Sequence, residues 1–146
     1  MPKLLDYNAQ PISLRNGAIF LDGLKVFDAV KGEIKFTPDV WSGRQLGDKA
    51  KSSRWLGYAI TVSVTRRRST PWTKEVIKKY IASGKTPEFT VQDVLDDPGS
   101  DYGAAYGSDT TTAVGCVLTG DMTLAQLDAE GEIFDETLAF NAYDVV

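Results

Sequence analysis

Residues 58–65 read Tyr-Ala-Ile-Thr-Val-Ser-Val-Thr, a strict alternation of apolar and small polar side chains. Successive side chains of a β-strand point to opposite faces. Tyr58, Ile60, Val62 and Val64 therefore share one face, and Ala59, Thr61, Ser63 and Thr65 share the other. A strand needs partners, so this run commits the chain to a sheet with one buried side. Its second face holds small neutral groups and no charge, which suits a packed or lumen-facing surface better than an ordinary exterior.

Partners are legible on both sides of it. Ala18–Leu21 is a short apolar strand, and Asp22-Gly23 is a two-residue hairpin turn signal. The return strand is expected to run to Phe36, with Val26, Val30, Ile34 and Phe36 on one side and Ala29, Lys31, Glu33 and Lys35 on the other. Residues 37–55 lose all periodicity and carry Pro38, Gly43, Gly47, Ser52 and Ser53 among four cations. They are expected to form a long irregular loop, and nineteen such residues are usually functional. Strands 24–36 and 56–66 would then make a long hairpin joined by this basic loop. One helix is expected, with Thr70 as cap, Pro71 in the first position, Glu75 near the positive end and Gly84 as stop. Trp72, Val76, Ile77, Tyr80 and Ile81 fall on one stripe at helical spacing. Beyond it, strands are expected at 88–95, 111–118, 123–129 and 133–143, with 96–109 as a turn-rich loop. Val114, Cys116 and Leu118 are expected to share a face, as are Phe134, Leu138 and Phe140. The element order gives a mostly antiparallel β (α+β) fold with a single packed helix.

Charge is split along the chain. All 16 Lys and Arg residues lie at or before Lys85, together with only 7 of the 20 acids. The first part is therefore near +9 (16 − 7) and the last 61 residues near −13 (20 − 7, with no cation). One copy's basic surface can meet another's acidic one, or folding can intermix the two. The 146 residues form one domain, expected to span 1–146. The start, Met1-Pro2-Lys3-Leu4-Leu5-Asp6, lacks the apolar stretch of a signal peptide, and no run approaches the roughly 18 apolar residues of a membrane span.

Histidine is absent, which removes the usual general base near neutral pH and the commonest metal ligand. With Cys116 as the one cysteine, neither a zinc site nor a disulfide is expected, and Cys116 reads as a small buried hydrophobe. The acidic stretch Asp93–Asp101 lacks the ligand spacing of an EF-hand loop. No catalytic, cofactor-binding or metal-binding residue is assigned, and an enzyme is not expected. Arg66-Arg67-Arg68 is the densest cationic cluster. It can contact phosphate, meet acids of a neighbouring subunit, or stand solvated at a strand end.

The ordered segments GAIFLDG, VFDAVKGEIKF, SSRWLGYAITVSVTR, IKKYIASGKTPEFTVQDVLDDPGS and VLTGDMTLAQLDAEGEIFDETLAFNAYDVV together resemble the inner tail tube proteins of contractile-tailed bacteriophages, defective prophages and tailocins. In fold these resemble type VI secretion tube proteins. The resemblance spans about Asn16–Val145 and implies two packed antiparallel sheets forming a small barrel-like sandwich with one flanking helix and a long hairpin loop. It further implies six-subunit rings, stacked into a tube that conducts a genome or punctures an envelope. The lumen wall would come from the hairpin 24–36/56–66 and strands 111–118 and 132–143, with Ala59, Thr61, Ser63 and Thr65 as candidate lining and acids near the lumen repelling DNA in transit. Residues 37–55, with Arg44, Lys49, Lys51 and Arg54, would reach a neighbouring subunit; Arg66, Arg67 and Arg68 are further interface candidates. Residues 1–15 would be a flexible N-terminal segment. Implied partners are copies of the chain and the sheath, tape-measure, baseplate and terminator proteins, with DNA only in transit, no cofactor and no stable membrane association. The implied place is the virion tail, assembled in the host cytoplasm. A secreted type VI-like effector carrier, or a monomeric β-sandwich binding module, are the alternatives.

Overall fold

A computed structural model describes residues 12–146. The part of the expected N-terminal segment before residue 12 lies outside the described residues. Ten elements follow in order: β1 (Gly17–Leu21), β2 (Leu24–Lys25), β3 (Ala29–Gly43), β4 (Ser52–Arg67), α1 (Trp72–Ser83), β5 (Phe89–Leu95), α2 (Asp101–Tyr106), β6 (Asp109–Thr119), β7 (Asp135–Ala142) and β8 (Asp144–Val145). Every pairing is antiparallel, in the order β2-β1-β5-β6-β7-β4-β3, with β8 on β6. The sheet folds over into two packed layers, as the sequence led us to expect, but the layers are one continuous path and the ends do not meet.

β6 makes the corner. Its first part pairs with β5 and its last residues, Val117–Thr119, pair with β7. Gly115 at φ 65° bends the strand between these two roles, and a Cβ there would lie 2.9 Å from that of Tyr143. The bend shifts the alternation, so Ala113 and Cys116 are both fully buried and Val114 does not share the Cys116 face as expected. Such a bulge re-aims side chains at a sheet corner.

The core lies between the layers. Val62, Val64, Leu138 and Phe140 from one side meet Val91, Ala113 and Cys116 from the other. Phe89 joins them, its ring 6.1 Å edge-on to Phe140 and 5.2 Å from Trp72 of α1. Burying each such side chain contributes roughly 1.5–3 kcal/mol, and these contacts hold the two layers together. Burial pushes the Cys116 thiol up, in keeping with a packed hydrophobe.

Five expectations need correction. The return strand after the Asp22-Gly23 turn (φ 51° and 81°, the mirror-image turn hairpins favour) is only β2; the chain breaks at residues 26–28 and β3 then pairs with β4 instead. Residues 37–55 are not an irregular loop: β3 and β4 stay paired from Thr37↔Ala59 to Gly43↔Ser52, with a bulge after Asp39, leaving only 44–51 as the turn. Pro38 misled because proline is tolerated on an edge strand, and β3 is one. Residues 123–129 form no strand. Finally, Thr70 does not cap α1; Pro71 occupies the cap position without a side-chain bond, while Gly84 closes the helix with its N–H on the Tyr80 carbonyl at 2.7 Å. A second helix, α2, stands in the expected loop, capped by Ser100 accepting from the Gly103 N–H at 2.9 Å.

Candidate functional site

Three surfaces carry the residues singled out by sequence. The first is the open face of β3, β4, β7 and the end of β6. Because Ile60, Val62 and Val64 turn inward, Thr61, Ser63 and Thr65 turn outward and line a shallow groove of about 460 Å³. Cross-strand register arranges its floor in rows: Lys31–Thr65–Thr137, Glu33–Ser63–Ala139–Thr119 and Lys35–Thr61–Asn141. The Thr65 and Thr137 hydroxyls hydrogen-bond at 3.1 Å, and Lys35 Nζ meets Glu33 Oε1 at 2.8 Å. Ala59 continues the same face next to Thr37. The groove offers hydroxyls, an amide and methyl groups, and no converging reactive set. A carboxylate-rich lining is not found here: Glu33 stands between Lys31 and Lys35.

The second surface is the arm, the paired stretch beyond Ile60, where β7 ends. Seven residues of β3 (37–43) project with only β4 beside them, about 23 Å at roughly 3.3 Å per residue. The bulge after Asp39 skips Leu56, so Trp55 falls on the same face as Tyr58 and Phe36. Their rings stack in series, with centroids 5.5 Å (Phe36–Trp55) and 5.3 Å (Phe36–Tyr58) apart. That face is continuous with the core side of the sheet, yet Trp55 is 65% exposed and Phe36, Val40 and Tyr58 about half exposed. Arg44, Lys49, Lys51 and Arg54 all sit exposed at or beside the tip, where the Ser42 and Ser53 hydroxyls bond at 3.0 Å. A contiguous apolar patch of this kind marks an interaction surface.

The third is the opposite end of the same hairpin, where the arginine cluster divides. Arg66 is buried at 4% exposure. Its Nη2 donates to the Thr70 carbonyl at 2.5 Å and Oγ1 at 3.1 Å, and its Nε lies 3.3 Å from Glu136 Oε1 and 3.5 Å from Asp28 Oδ2. Thr73 Oγ1 donates to Glu136 at 2.8 Å, and Ser69 Oγ to Asp28 at 2.7 Å. This network ties the start of α1 to β4 and β7. Arg68 donates to the Leu124 carbonyl at 2.9 Å and stands over the Phe134 ring at 5.2 Å. The fold thus commits Arg66 and Arg68 to partners in their own chain, and a phosphate or neighbour contact cannot use Arg66 as it stands. Arg67 alone points outward, 3.7 Å from the exposed Asp135. Sequence reading missed Asp28, Thr73 and Glu136; the one signal was Asp28 breaking an apolar alternation.

Among the described residues, no group of three or more His, Cys, Asp or Glu could hold a metal ion, and no helix is long and apolar enough to cross a membrane. The fold is shared by chains in solved structures of contractile injection systems. One chain in the cryo-EM structure of the PVC sheath/tube terminator, an extracellular contractile injection system in its extended state, superposes with a TM-score of 0.71 at 13% identity, covering 98% of both chains. A chain of the PVC sheath–tube complex gives 0.65 at 13% identity, covering 93% of this chain and 90% of that one. In sequence, the chain is 28% identical over 138 residues to the phage-like element PBSX protein XkdM of Bacillus subtilis strain 168, spanning 91% of this chain and 87% of that one, and equally to YqbM of the same strain. The family model for phage tail tube proteins matches residues 8–145. The chain belongs to the phage tail tube protein family, a family of structural components.

Proposed function

We propose that the chain is the repeating subunit of an inner tail tube: six copies form a ring, and rings stack into a conduit that passes a genome or punctures an envelope. The observation that carries this reading is the unfinished sheet. β3 presents a 15-residue strand whose outer edge has no partner among the described residues, and such an edge is a template for pairing with another chain. Pairing it with a strand of a neighbouring copy would continue the layer from subunit to subunit into a closed wall. The open face would then line the lumen with Ala59, Thr61, Ser63 and Thr65, a surface too weakly charged to grip cargo. Stacking rests on the arm. Burying Phe36, Trp55 and Tyr58 fully would contribute about 2–4 kcal/mol each, against at most about 1 kcal/mol for each exposed salt bridge. Sheath, tape-measure, baseplate and terminator proteins complete the particle, which forms in the host cytoplasm and carries DNA only in transit.

Electron microscopy of the concentrated protein tests this: rings or tubes of one width are expected. A monomeric sedimentation profile at every concentration and salt, with no tubes on adding tail components, would refute it.

A further inference from the structure

The arm tip and the pocket at the other end of its hairpin have the properties of two halves of one contact. At the tip, Leu46 is fully exposed, carried outward with four cations and one acid, Asp48. No fold-internal reason among the described residues holds a leucine there, since none of them covers it. At the far end of β3 and β4, where the chain breaks between β2 and β3, lies an apolar pocket of about 160 Å³. Core residues Val64, Leu138 and Phe140 form its floor, and Leu24 and Phe27, about three-quarters exposed, stand at its rim. A cleft of that size suits one aliphatic side chain. The occupant is narrowed by charge. The segment between Leu124 and Phe134 is anchored at this same end by Arg68 and carries exposed Asp128, Glu130 and Glu132, with Asp135 following. Arg66 and Arg68 also stand at this end but are committed within their own chain, so a cationic tip and an apolar-floored base flanked by acids, on opposite ends of one rod, form a heterologous pair. Such pairs cannot close on themselves two-fold; they propagate.

We infer that Leu46 of one copy seats in the Phe27–Val64–Phe140 pocket of the next, with Arg44, Lys49, Lys51 and Arg54 facing the acids of the 124–135 segment. This rests on the tube reading above and adds the receiving site, which is what fixes polarity: every subunit offers its tip one way and its pocket the other. Arg67 is already paired with Asp135, so the tip's cations are drawn mainly to Asp128, Glu130 and Glu132, which have no ion-pair partner among the described residues.

Cross-linking of separately purified variants tests it. Cys116 is fully buried, so the native chain gives a silent background. Chains carrying Leu46→Cys are mixed with chains carrying Phe27→Cys, allowed to assemble and treated with a short bis-maleimide. Ile81→Cys, equally exposed on α1, is the control partner. The expected result is a covalent dimer in the Leu46/Phe27 mixture, at least tenfold above the Leu46/Ile81 mixture. Leu46→Ser, which cannot unfold a protomer that does not bury Leu46, should raise the concentration for tube growth at least tenfold while rings persist. Cross-linking at the Ile81 level, or Leu46→Ser tubes of wild-type length, would overturn the pocket assignment and leave the tube reading standing. Failure of the unmodified chain to form tubes at all would overturn both.

Discussion

Replacing Asp93 by asparagine should stabilise this protein near neutral pH and leave it unchanged in acid. Asp93 lies on β5 two residues from fully buried Val91, on the inward face, between Ile19 of β1 and Thr111 of β6. Gly32 of β3 lies over it: a Cβ there would come within 3.3 Å of Asp93 Oδ2. Oδ1 is buried with no hydrogen-bond partner among the described residues. Burial pushes its pKa from 3.8 up to about 6, because desolvation penalises the charged form. The folded protein therefore holds the proton more tightly than the unfolded chain does. Its contribution to stability is complete below about pH 4 and is lost as pH rises through 6. At about 1.4 kcal/mol per pH unit, the full loss would be near 3 kcal/mol. The carboxylate keeps some contact with water, so about 1–2 kcal/mol is the better figure. Urea unfolding of wild type and Asp93→Asn at pH 4 and pH 7.5 measures it. Equal stability at the lower pH is expected, with the variant ahead by 1–2 kcal/mol at the higher. An asparagine variant that is less stable at pH 7.5, or a difference that does not change with pH, would refute the desolvation account.

Phe140→Ala removes the most completely buried large side chain and should cost about 3–5 kcal/mol in urea unfolding. Arg66→Leu leaves Asp28 without its cation and Glu136 with only Arg68, 3.9 Å away, and should cost about 3–5 kcal/mol, whereas Arg67→Leu should change stability by less than about 1 kcal/mol; equal effects would contradict the division of the arginine cluster. Gly115→Val forces a branched residue into φ 65° against Tyr143 and should lower the thermal midpoint by several degrees, with about 1–3 kcal/mol lost. Replacing Arg44, Lys49, Lys51 and Arg54 together by serine should shorten tubes seen by electron microscopy without changing the circular dichroism of the protomer.

The run from Tyr58 to Thr65 told the truth because period two survives wherever one strand face is buried: Ile60, Val62 and Val64 are in the core and Thr61, Ser63 and Thr65 are out of it. Leu138 and Phe140 were legible for the same reason. What stayed hidden depends on long-range partners. Residues 37–43 and 52–55 are strand because they pair with each other, and no periodicity announces this when both faces are exposed. The bend at Gly115 shifts the register by one and exchanges Val114 for Ala113, which alternation alone cannot foresee. The Arg66 network joins residues 28, 66, 73 and 136, groups that only the fold brings within 4 Å. The charge split, by contrast, was plain in the sequence; the fold adds that four cations crowd the arm tip, while at the opposite end Arg66 and Arg68 are tied to partners in their own chain.

Hydrogen exchange along β3 tests most directly whether copies of the chain complete its sheet. Every second backbone amide of β3 faces away from β4 and should exchange rapidly in the isolated protomer. In assembled tubes those same amides should slow by orders of magnitude, while the amides already bonded to β4 change little. If the outward amides of β3 exchange equally fast in protomer and tube, the edge is not where subunits join and the account is wrong.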